Sequence, residues 1–318
     1  MKSLLVCSAL FALCCSAVAA ADPAPARPVA ATGHEFVWGD VTRSRAVHVL
    51  ADGTLAWEFP AKLCQEAWKL ANGNYLVSHV RGAKEVTPDK KVVWEYTSPE
   101  KTEVHSCQPL PDGAVLVCEG GTAASGPGSP RIVEVDRDGK IRKEFKLETK
   151  CGSPHMQFRS ARKTAAGTYL VAQITDHVVR EYDAEGRVIR TIATPGGCYA
   201  AVRLPNGNTL ISLAEGQRDG KGVIEIDPAD TIVWSIGRDE LPGNPLRFAA
   251  GLHRLPNGNT VIANWLGHGF LGKQPMLLEV TPDKKVVWQF EDHARFAGLA
   301  NGYLVDVPGD AAKGELLH

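Results

Sequence analysis

Two histidines in this sequence stand in local settings that suit proton transfer. His105 lies in "EVHSCQP" and His155 in "SPHMQF", and Tyr199 follows a cysteine at the start of a later repeat. Because the charge of histidine changes near neutral pH, His105 and His155 could act as general bases or as oxyanion donors, with Tyr199 as a third catalytic candidate. The alternative is that each histidine is a buried, hydrogen-bonded structural side chain. The sequence leaves both interpretations open.

A second group of side chains suits ligand binding. The segment "NWLGHGF" places an indole, an imidazole and a phenyl ring in one loop, which fits stacking on a sugar or an aromatic ligand, although a plain surface loop would look the same. Arg159 and Arg247 could hold a carboxylate, sulfate or phosphate through their fork of donors, with structural salt bridges as the alternative. The candidate binding residues are Glu66, His79, Glu119, Gln157, Arg159, Gln173, Arg247, Asn264, Trp265 and His268.

Several familiar chemical motifs do not occur in the sequence. There is no H-x-E, H-E-x-x-H or paired C-x-x-C spacing, so the sequence predicts no metal site, although histidines from separate repeats could still converge on an ion. There is also no G-x-S-x-G elbow and no glycine loop for phosphate. The candidates therefore depend on the fold to bring them together.

The elements that must position these residues are repeats. The turn phrases "LANGNYLVS", "LPDGAVLVC", "TAAGTYLVA", "LPNGNTLIS", "LPNGNTVIA" and "LANGYLVD" recur along the chain, and their glycines are Gly73, Gly113, Gly167, Gly207, Gly258 and Gly302. Successive glycines are 40 to 54 residues apart, a spacing typical of propeller blades rather than of helical solenoids. Asn-Gly and Asp-Gly accept the positive φ angles of tight turns, which indicates β-hairpins.

A second phrase completes each repeat. "TPDKKVVWEY" from Thr87 and "TPDKKVVWQF" from Thr281 are its closest copies, and each predicts a further hairpin. One unit, best seen over residues 198–237, thus contains four strands, A to D. The fold class is all-β, and the prediction is a six-bladed propeller of four-stranded antiparallel blades, closed by strands from both termini. A recurrent strand-D tryptophan, replaced by Lys143 and Arg190 in two blades, is expected to dock each blade on the next.

The regular turns also predict where a site should lie. A-B and C-D turns fall on one rim of such a propeller, so irregular B-C and D-A insertions such as "EGGTAASGPGSPR" and "ETKCGSPHMQFRSA" fall on the other. Loops on a rigid scaffold are the usual place for binding residues. Six residues after the turn glycines, at the loop end of strand B, stand His79, Glu119, Gln173, Leu213 and Asn264. We expect a polar ring around the channel mouth there, with ordinary solvated strand ends as the competing account.

The N-terminus predicts export. Lys2, an apolar run and small residues up to Ala21 are typical of a cleaved signal peptide over residues 1–21, followed by a Pro- and Ala-rich disordered leader over 22–33 and one propeller domain over 34–318. The protein is then expected to be secreted or periplasmic. No other segment is apolar for long enough to span a membrane, and Lys plus Arg (35) nearly equals Asp plus Glu (36), which argues against a nucleic-acid partner.

Five cysteines remain after cleavage, an odd number for an oxidising compartment. Cys107 and Cys118 flank the Asp112-Gly113 turn symmetrically and would face each other across a two-residue hairpin, which allows a disulfide there. The alternative is that all five are small buried apolar residues.

The phrases "KKVVWEY", "TIVWSI" and "KKVVWQF", each after an "EV" or "EID" strand, resemble repeats of the pyrroloquinoline-quinone-like propeller superfamily. "LPNGNT" is similar to repeats of secreted bacterial six-bladed propellers, including arylsulfotransferase-like proteins. This resemblance implies the architecture. Quinoprotein alcohol dehydrogenases have eight blades and a vicinal cysteine pair beside the quinone, whereas Cys14 and Cys15 lie in the signal peptide here. No quinone or other cofactor is therefore predicted.

Function is left with two hypotheses. The first is an exported propeller that binds a small molecule, a glycan or a protein partner through its loop face and channel mouth. The second is a propeller enzyme, a lyase, hydrolase or transferase, that acts on a polar or anionic sugar-like or aryl substrate with a histidine base. Fold alone does not decide between them. The oligomeric state is not predicted.

Overall fold

The computed structural model describes residues 33–126, 128–214, 220–243 and 245–318. The predicted signal peptide and almost all of the predicted leader lie outside the described residues. Parts of three loops, at Pro127, at residues 215–219 and at Asn244, also lie outside them.

Six four-stranded antiparallel sheets form a ring, which confirms the six-bladed propeller. Blade 1 contains β24, β1, β2 and β3, and each later blade is a meander of four consecutive strands. Short 3-10 helices occur at Ala123–Ser125, Pro154–Met156 and Ala311–Lys313, and the described residues contain no α-helix. No helix in the described part of the chain is long and apolar enough to cross a membrane.

The strands of blades 1 to 3 are β1 Phe36–Asp40, β2 Arg45–Val49, β3 Leu55–Pro60, β4 Ala67–Lys69, β5 Tyr75–His79, β6 Gly82–Val86, β7 Val92–Thr97, β8 Glu103–Pro109, β9 Val115–Gly120, β10 Arg131–Val135 and β11 Ile141–Lys146. The strands of blades 4 to 6 are β12 Phe158–Lys163, β13 Tyr169–Gln173, β14 Val178–Tyr182, β15 Val188–Ala193, β16 Cys198–Arg203, β17 Thr209–Leu213, β18 Lys221–Ile226, β19 Ile232–Gly237, β20 Ala249–Arg254, β21 Thr260–Asn264, β22 Leu277–Val280 and β23 Val286–Phe290. The last strand, β24 Leu299–Leu304, returns to blade 1.

Ring closure uses one strand from the C-terminal end and three from the N-terminal end. β24 pairs with β1, with Phe36 opposite Leu304 and Val37 opposite Tyr303. The phrase "LANGYLVD" was expected to be an A-B turn around Gly302, and this is wrong. Gly302 lies inside β24, where a Cβ atom would overlap the backbone of Val37, so the glycine allows close approach of two strands rather than a turn.

The other five turn glycines behave as predicted. Gly73, Gly113, Gly167, Gly207 and Gly258 have φ angles between 82° and 87°. In the Leu110–Ala114 turn, the Gly113 N–H donates to the Leu110 carbonyl and the Leu110 N–H donates to the Ala114 carbonyl. This is a three-residue loop with a glycine at the left-handed position, not a two-residue hairpin.

That turn geometry decides the cysteine question. The longer loop shifts the register by one residue, so Cys107 pairs with Val117 and Cys118 pairs with Ser106. Because neighbouring residues of a strand point to opposite faces, the two thiols lie on opposite sides of the blade. All five cysteines of the described chain are free, so the disulfide that the sequence allowed between Cys107 and Cys118 is not formed.

Strand D docks each blade on the next. Trp57 stacks on Tyr75 of the following blade with ring centroids 3.7 Å apart, and the Trp94 and Trp234 indoles donate across blade boundaries to the carbonyls of Asp136 and Pro282. In one of the two blades without this tryptophan, Arg190 donates to the Asp227 carbonyl at 2.9 Å instead. In the other, Lys143 lies over the Tyr169 ring at 5.7 Å.

Charged side chains also connect each blade to the next, at the rim formed by the A-B and C-D turns. We call this rim the regular rim. Strand C of five blades carries a glutamate near its end, and each glutamate pairs with a cation or histidine of the following blade. These pairs are Glu85–Arg137, Glu134–Lys163, Glu181–Arg203, Glu225–Arg254 and Glu279–His34. Ion pairs and indoles together therefore hold neighbouring blades in register.

Candidate functional site

A cavity of about 500 Å³ opens at the channel mouth on the rim formed by the B-C and D-A connections, which we call the loop face. Its apolar wall includes Val41, Leu63, Met156, Ile174, Phe248 and Trp265. Its polar lining includes Gln65, His155, Arg159, Thr175, His177, Tyr199 and His268. This loop-face cavity combines a large apolar surface with several convergent donors and acceptors.

The innermost strands position two of the polar groups. Arg159 lies near the start of β12 and Tyr199 near the start of β16, where strand A meets the loop face. The Tyr199 hydroxyl donates to the Gln65 side-chain carbonyl, and burial raises the pKa of Tyr199 well above its ordinary value. Tyr199 is therefore a neutral donor, and its O–H is already used.

The aromatic wall comes from the loops after β21 and before β20. The backbone N–H of Trp265 donates to the Phe248 carbonyl at 3.0 Å, which ties the two loops together. The Trp265 ring meets Phe248 edge to face at 5.0 Å and His268 at 4.8 Å. Such edge-to-face contacts fix the indole as a flat wall of the cavity.

Behind Arg159 and His155 lies a cluster of titratable groups. His105 is only 3% exposed, and its two ring nitrogens lie 2.7 Å from a Glu103 carboxylate oxygen and 2.7 Å from the Phe158 carbonyl. Burial and the Arg159 charge lower the pKa of His105 to about 4, so the ring is neutral and has a single N–H. Nη1 of Arg159 lies 2.9 and 3.0 Å from the two ring nitrogens and can donate to the unprotonated one.

His155 is the exposed member of the cluster. It is about half exposed, and its Nδ1 lies 2.6 Å from the same Glu103 oxygen. Burial alone would raise the pKa of Glu103, but hydrogen bonds from His105 and His155 outweigh it and hold that pKa well below its usual range. An ionised Glu103 therefore orients the His155 ring at the edge of the cavity.

The same three groups are the candidate metal ligands. One ligand atom each from Glu103, His105 and His155 lies within 4.8 Å of the others, and two histidines with one carboxylate suit a transition metal such as Zn²⁺. The Arg159 guanidinium, however, lies against the His105 nitrogens and would repel a second cation. The cluster is better explained as a support for Arg159 and His155.

Five of the predicted site residues meet in this cavity: His155, Arg159, Tyr199, Trp265 and His268. His105 lies directly behind them and does not line it. These residues come from blades 4, 5 and 6, and all of them stand near the loop ends of their blades.

Four of the predicted residues instead complete hydrogen bonds inside the blades. Glu119 accepts from Tyr96 and Arg131, and Gln173 donates to the Glu148 carbonyl at 2.9 Å. Gln157 makes three bonds, to the N–H and carbonyl of Gly121 and to the Cys151 carbonyl, each at 2.8 Å. Asn264 accepts from the Arg247 and Phe248 N–H groups and donates to the carbonyls of Pro245 and Pro275. Glu119, Gln173 and Asn264 end strand B, the second strand from the channel, and their polar groups bond to neighbouring side chains and loop backbone instead of lining the cavity.

Three further candidates also lie away from the cavity. Glu66 is fully buried deeper in the channel, where it pairs with Arg162 and accepts from Asn301 at 2.9 Å. His79 stands at the end of β5 with its Nε2 3.9 Å from Glu95. The Arg247 guanidinium lies over the Phe270 ring, 5.0 Å from its centroid.

Sequence reasoning missed Gln65, His177 and Phe248. Gln65 is one residue from the predicted Glu66, and a shift of one residue exchanges the faces of an extended chain. His177 could have been found, because it lies in the short B-C connection of blade 4 and therefore on the loop face. Phe248 lies in a D-A insertion that the sequence marks only as irregular.

No model of a protein family matches this sequence, and no curated protein matches it either. Among solved structures, a protein of unknown function from Bacteroides caccae is 28% identical with a TM-score of 0.75, covering 85% of this chain and 98% of its own. A streptogramin B lyase is 12% identical with a TM-score of 0.60, covering 92% and 95%. A virginiamycin B lyase from Staphylococcus aureus, solved with quinupristin after a histidine-to-alanine change that makes it catalytically inactive, is 12% identical with a TM-score of 0.57, covering 90% and 94%. At 12% identity the lyases share the fold alone.

Proposed function

We propose that this protein is an exported propeller that binds a small molecule in the loop-face cavity. The cavity itself carries the proposal. Its volume of about 500 Å³ lies in the usual range for small-molecule sites, and an apolar wall with a few convergent polar groups is their usual composition. Export is supported by the signal-like sequence of residues 1–21.

A compact small molecule fits this site better than a glycan chain or a protein partner. The donors and acceptors line a concavity rather than a flat patch, and Trp265 and Phe248 form its wall instead of an exposed platform. No quinone is part of the proposal. The repeat phrases that resemble quinone-binding propellers lie in the C-D hairpins, at the opposite rim from the cavity.

The test is a thermal-shift screen of the purified mature protein, followed by calorimetry on the compounds that raise its melting temperature. Trp265→Ala removes one cavity wall and should weaken binding at least tenfold. Trp234→Ala, a docking indole at the regular rim, is the matched control and should leave the affinity of the folded protein unchanged. Equal loss of affinity in both variants would place the site elsewhere.

The second candidate is an enzyme, and one observation favours it. The 2.6 Å contact between Glu103 and Nδ1 of His155 is the arrangement in which a carboxylate orients a histidine base. His155 stands at the cavity edge, where it can meet a polar or anionic substrate. It could serve the proton transfers of a lyase, hydrolase or transferase.

Mass spectrometry of each bound compound after prolonged incubation tests this second candidate. We expect His155→Gln to keep binding and to abolish product formation, while His79→Gln, which changes a loop-face histidine outside the cavity, keeps turnover within a few fold. Compounds that bind and are recovered unchanged would leave binding as the function. Turnover that survives in His155→Gln would exclude His155 as the base.

A further inference from the structure

Two arginines of strand β12 differ in one respect. Arg159 is 7% exposed and Arg162 is 6% exposed, so both guanidinium groups are buried. Arg162 pairs with the Glu66 carboxylate. Within the described residues, no carboxylate lies within ion-pair distance of Arg159. Its polar contacts are the His105 nitrogens and the Met156 sulfur at 3.8 Å.

A buried charge without a counter-ion is energetically costly. Transfer of an unpaired ion from water into a protein interior removes its hydration, and nothing in the interior replaces that hydration unless an opposite charge is supplied. The structure supports Arg159 in this state with a neutral His105, which Glu103 holds in turn. Such an arrangement is expected where the missing counter-ion arrives with a ligand, since Arg159 lines the cavity.

We propose that the ligand of the loop-face cavity carries one carboxylate, which pairs with Arg159, on an apolar body that lies against Trp265 and Phe248. This inference rests on the proposed function, and it adds the chemical class of the ligand. Arg159 becomes the residue that selects for charge, and the aromatic wall selects for shape.

The charge balance of the site favours a monoanion. Arg159 is the only Lys or Arg among the described residues that line the cavity, and the ionised Glu103 lies directly behind it, bonded to His105. A dianion such as a phosphate monoester would gain one cation and meet one carboxylate at short range, so its second charge would not be compensated. A carboxylate matches the planar fork of a guanidinium through two parallel hydrogen bonds.

The remaining lining fits the rest of such a molecule. Ile174, Leu63 and Val41 add to the aromatic wall, while His177 and His268 supply polar contacts away from Arg159. Burial of an apolar body would contribute binding free energy in proportion to its area, about 25 cal/mol per Å². The carboxylate then fixes orientation, because it has one cationic partner.

The test is a calorimetric screen in matched pairs, in which each carboxylic acid is measured beside its primary amide, its sulfonate and its phosphate analogue on the same apolar body. With the wild-type protein, acids should bind at least tenfold tighter than their amides and than the phosphates. Amides that bind as tightly as acids would overturn the carboxylate assignment while the small-molecule site stands. Sulfonates that bind where the acids do not would also overturn it. If no compound of any series binds, both the proposed function and this inference fail.

Three variants test the residue. Arg159→Gln should weaken acids at least tenfold and leave amides unchanged, and Arg159→Lys should restore part of the acid affinity. Arg247→Gln is the matched control, because Arg247 is a loop-face arginine outside the cavity, and it should leave all affinities within a factor of two. Circular dichroism of each variant verifies folding. Acid affinity that is equal in wild type and Arg159→Gln would refute the role of Arg159.

Discussion

Arg159 and Arg162 lie in two regions of one channel, and the two regions differ in how a buried guanidinium charge is paired. Around Arg162, the buried cation has a counter-ion: the guanidinium pairs with Glu66, and its Nε donates to the His318 carbonyl at 2.8 Å. Both arginines line a cavity, but no carboxylate of the described residues lies within ion-pair distance of Arg159. At the regular rim, too, each charged side chain of these ion pairs has its counter-ion on the neighbouring blade. Buried charges that have a counter-ion thus lie where blades are held together, whereas the buried charge that has none lies where we propose that a ligand binds.

The largest expected effect contrasts two tryptophans. Trp68 is 1% exposed, donates to the Cys107 carbonyl at 2.8 Å and packs on Tyr303 and His318. Trp68→Ala should lower the free energy of unfolding by about 4 kcal/mol, because it opens a large void and removes a donor. Trp265→Ala should cost less than about 1.5 kcal/mol, because its ring is only partly buried. Urea unfolding of both variants measures the difference, and equal losses would contradict the separation of the two regions.

The second-largest effect is expected when the buried pair between Arg162 and Glu66 is broken. Arg162→Gln leaves Glu66 buried without its counter-ion, and we expect a loss of about 3 kcal/mol in unfolding free energy. The control is Arg187→Gln, which removes an exposed ion pair with Asp183 and should leave the free energy of unfolding unchanged. A loss below about 1 kcal/mol for Arg162→Gln would show that the mid-channel network does not hold the fold.

Acid should destabilise the protein through buried neutral histidines. Burial lowers the pKa of His253 to about 3, and the charged or titratable groups around it are His34, Asp306 and His318. Since the unfolded chain takes up this proton near the ordinary histidine pKa, stability is retained at neutral pH and falls as the pH drops toward the folded-state value.

Replacing His253 measures how much of the loss of unfolding free energy at low pH comes from this one histidine. His253→Gln keeps an acceptor for the Leu304 N–H and should reduce the loss of stability between pH 7 and about pH 4.5 by roughly 2 kcal/mol. Urea unfolding at both pH values measures it. An unchanged pH dependence would show that His253 is charged in the folded protein.

The smallest expected effect is the change in unfolding free energy of Arg159→Gln, which should not be a loss, in contrast to Arg162→Gln. Arg159→Gln removes a buried charge that has no carboxylate partner, so the free energy of unfolding should stay the same or rise by up to about 1 kcal/mol. Urea unfolding beside Arg162→Gln is the comparison. A loss as large as that of Arg162→Gln would mean that Arg159 is a structural residue, and the contrast between the two regions would disappear.

The architecture was predictable because its determinants are local. Turn glycines such as Gly207 and the strand-D tryptophans repeat at blade spacing, and each specifies a hairpin or a blade contact within its own segment. Two details were not predictable. The turn after Pro109 has one residue more than a two-residue hairpin, which separates Cys107 from Cys118, and Gly302 has the same sequence context as the turn glycines but lies in a strand.

The site was predictable only in part, because it depends on contacts between blades. The rim rule predicted His155, Arg159, Tyr199, Trp265 and His268 on the loop face, and these residues line one cavity there. The same rule could not separate a side chain that faces the channel from one that satisfies loop backbone. That distinction depends on the three-dimensional course of the loops around residues such as Asn264. That the five residues lining the loop-face cavity bind a ligand or catalyse a reaction stays a prediction.

The most direct measurement is a crystal structure of the mature protein soaked with the tightest-binding carboxylic acid from the matched series. The account predicts electron density for the acid in the loop-face cavity, with its carboxylate on the Arg159 guanidinium and its apolar body against Trp265. Density at the regular rim with an empty loop-face cavity, or an acid in the cavity whose carboxylate points away from Arg159, would contradict it.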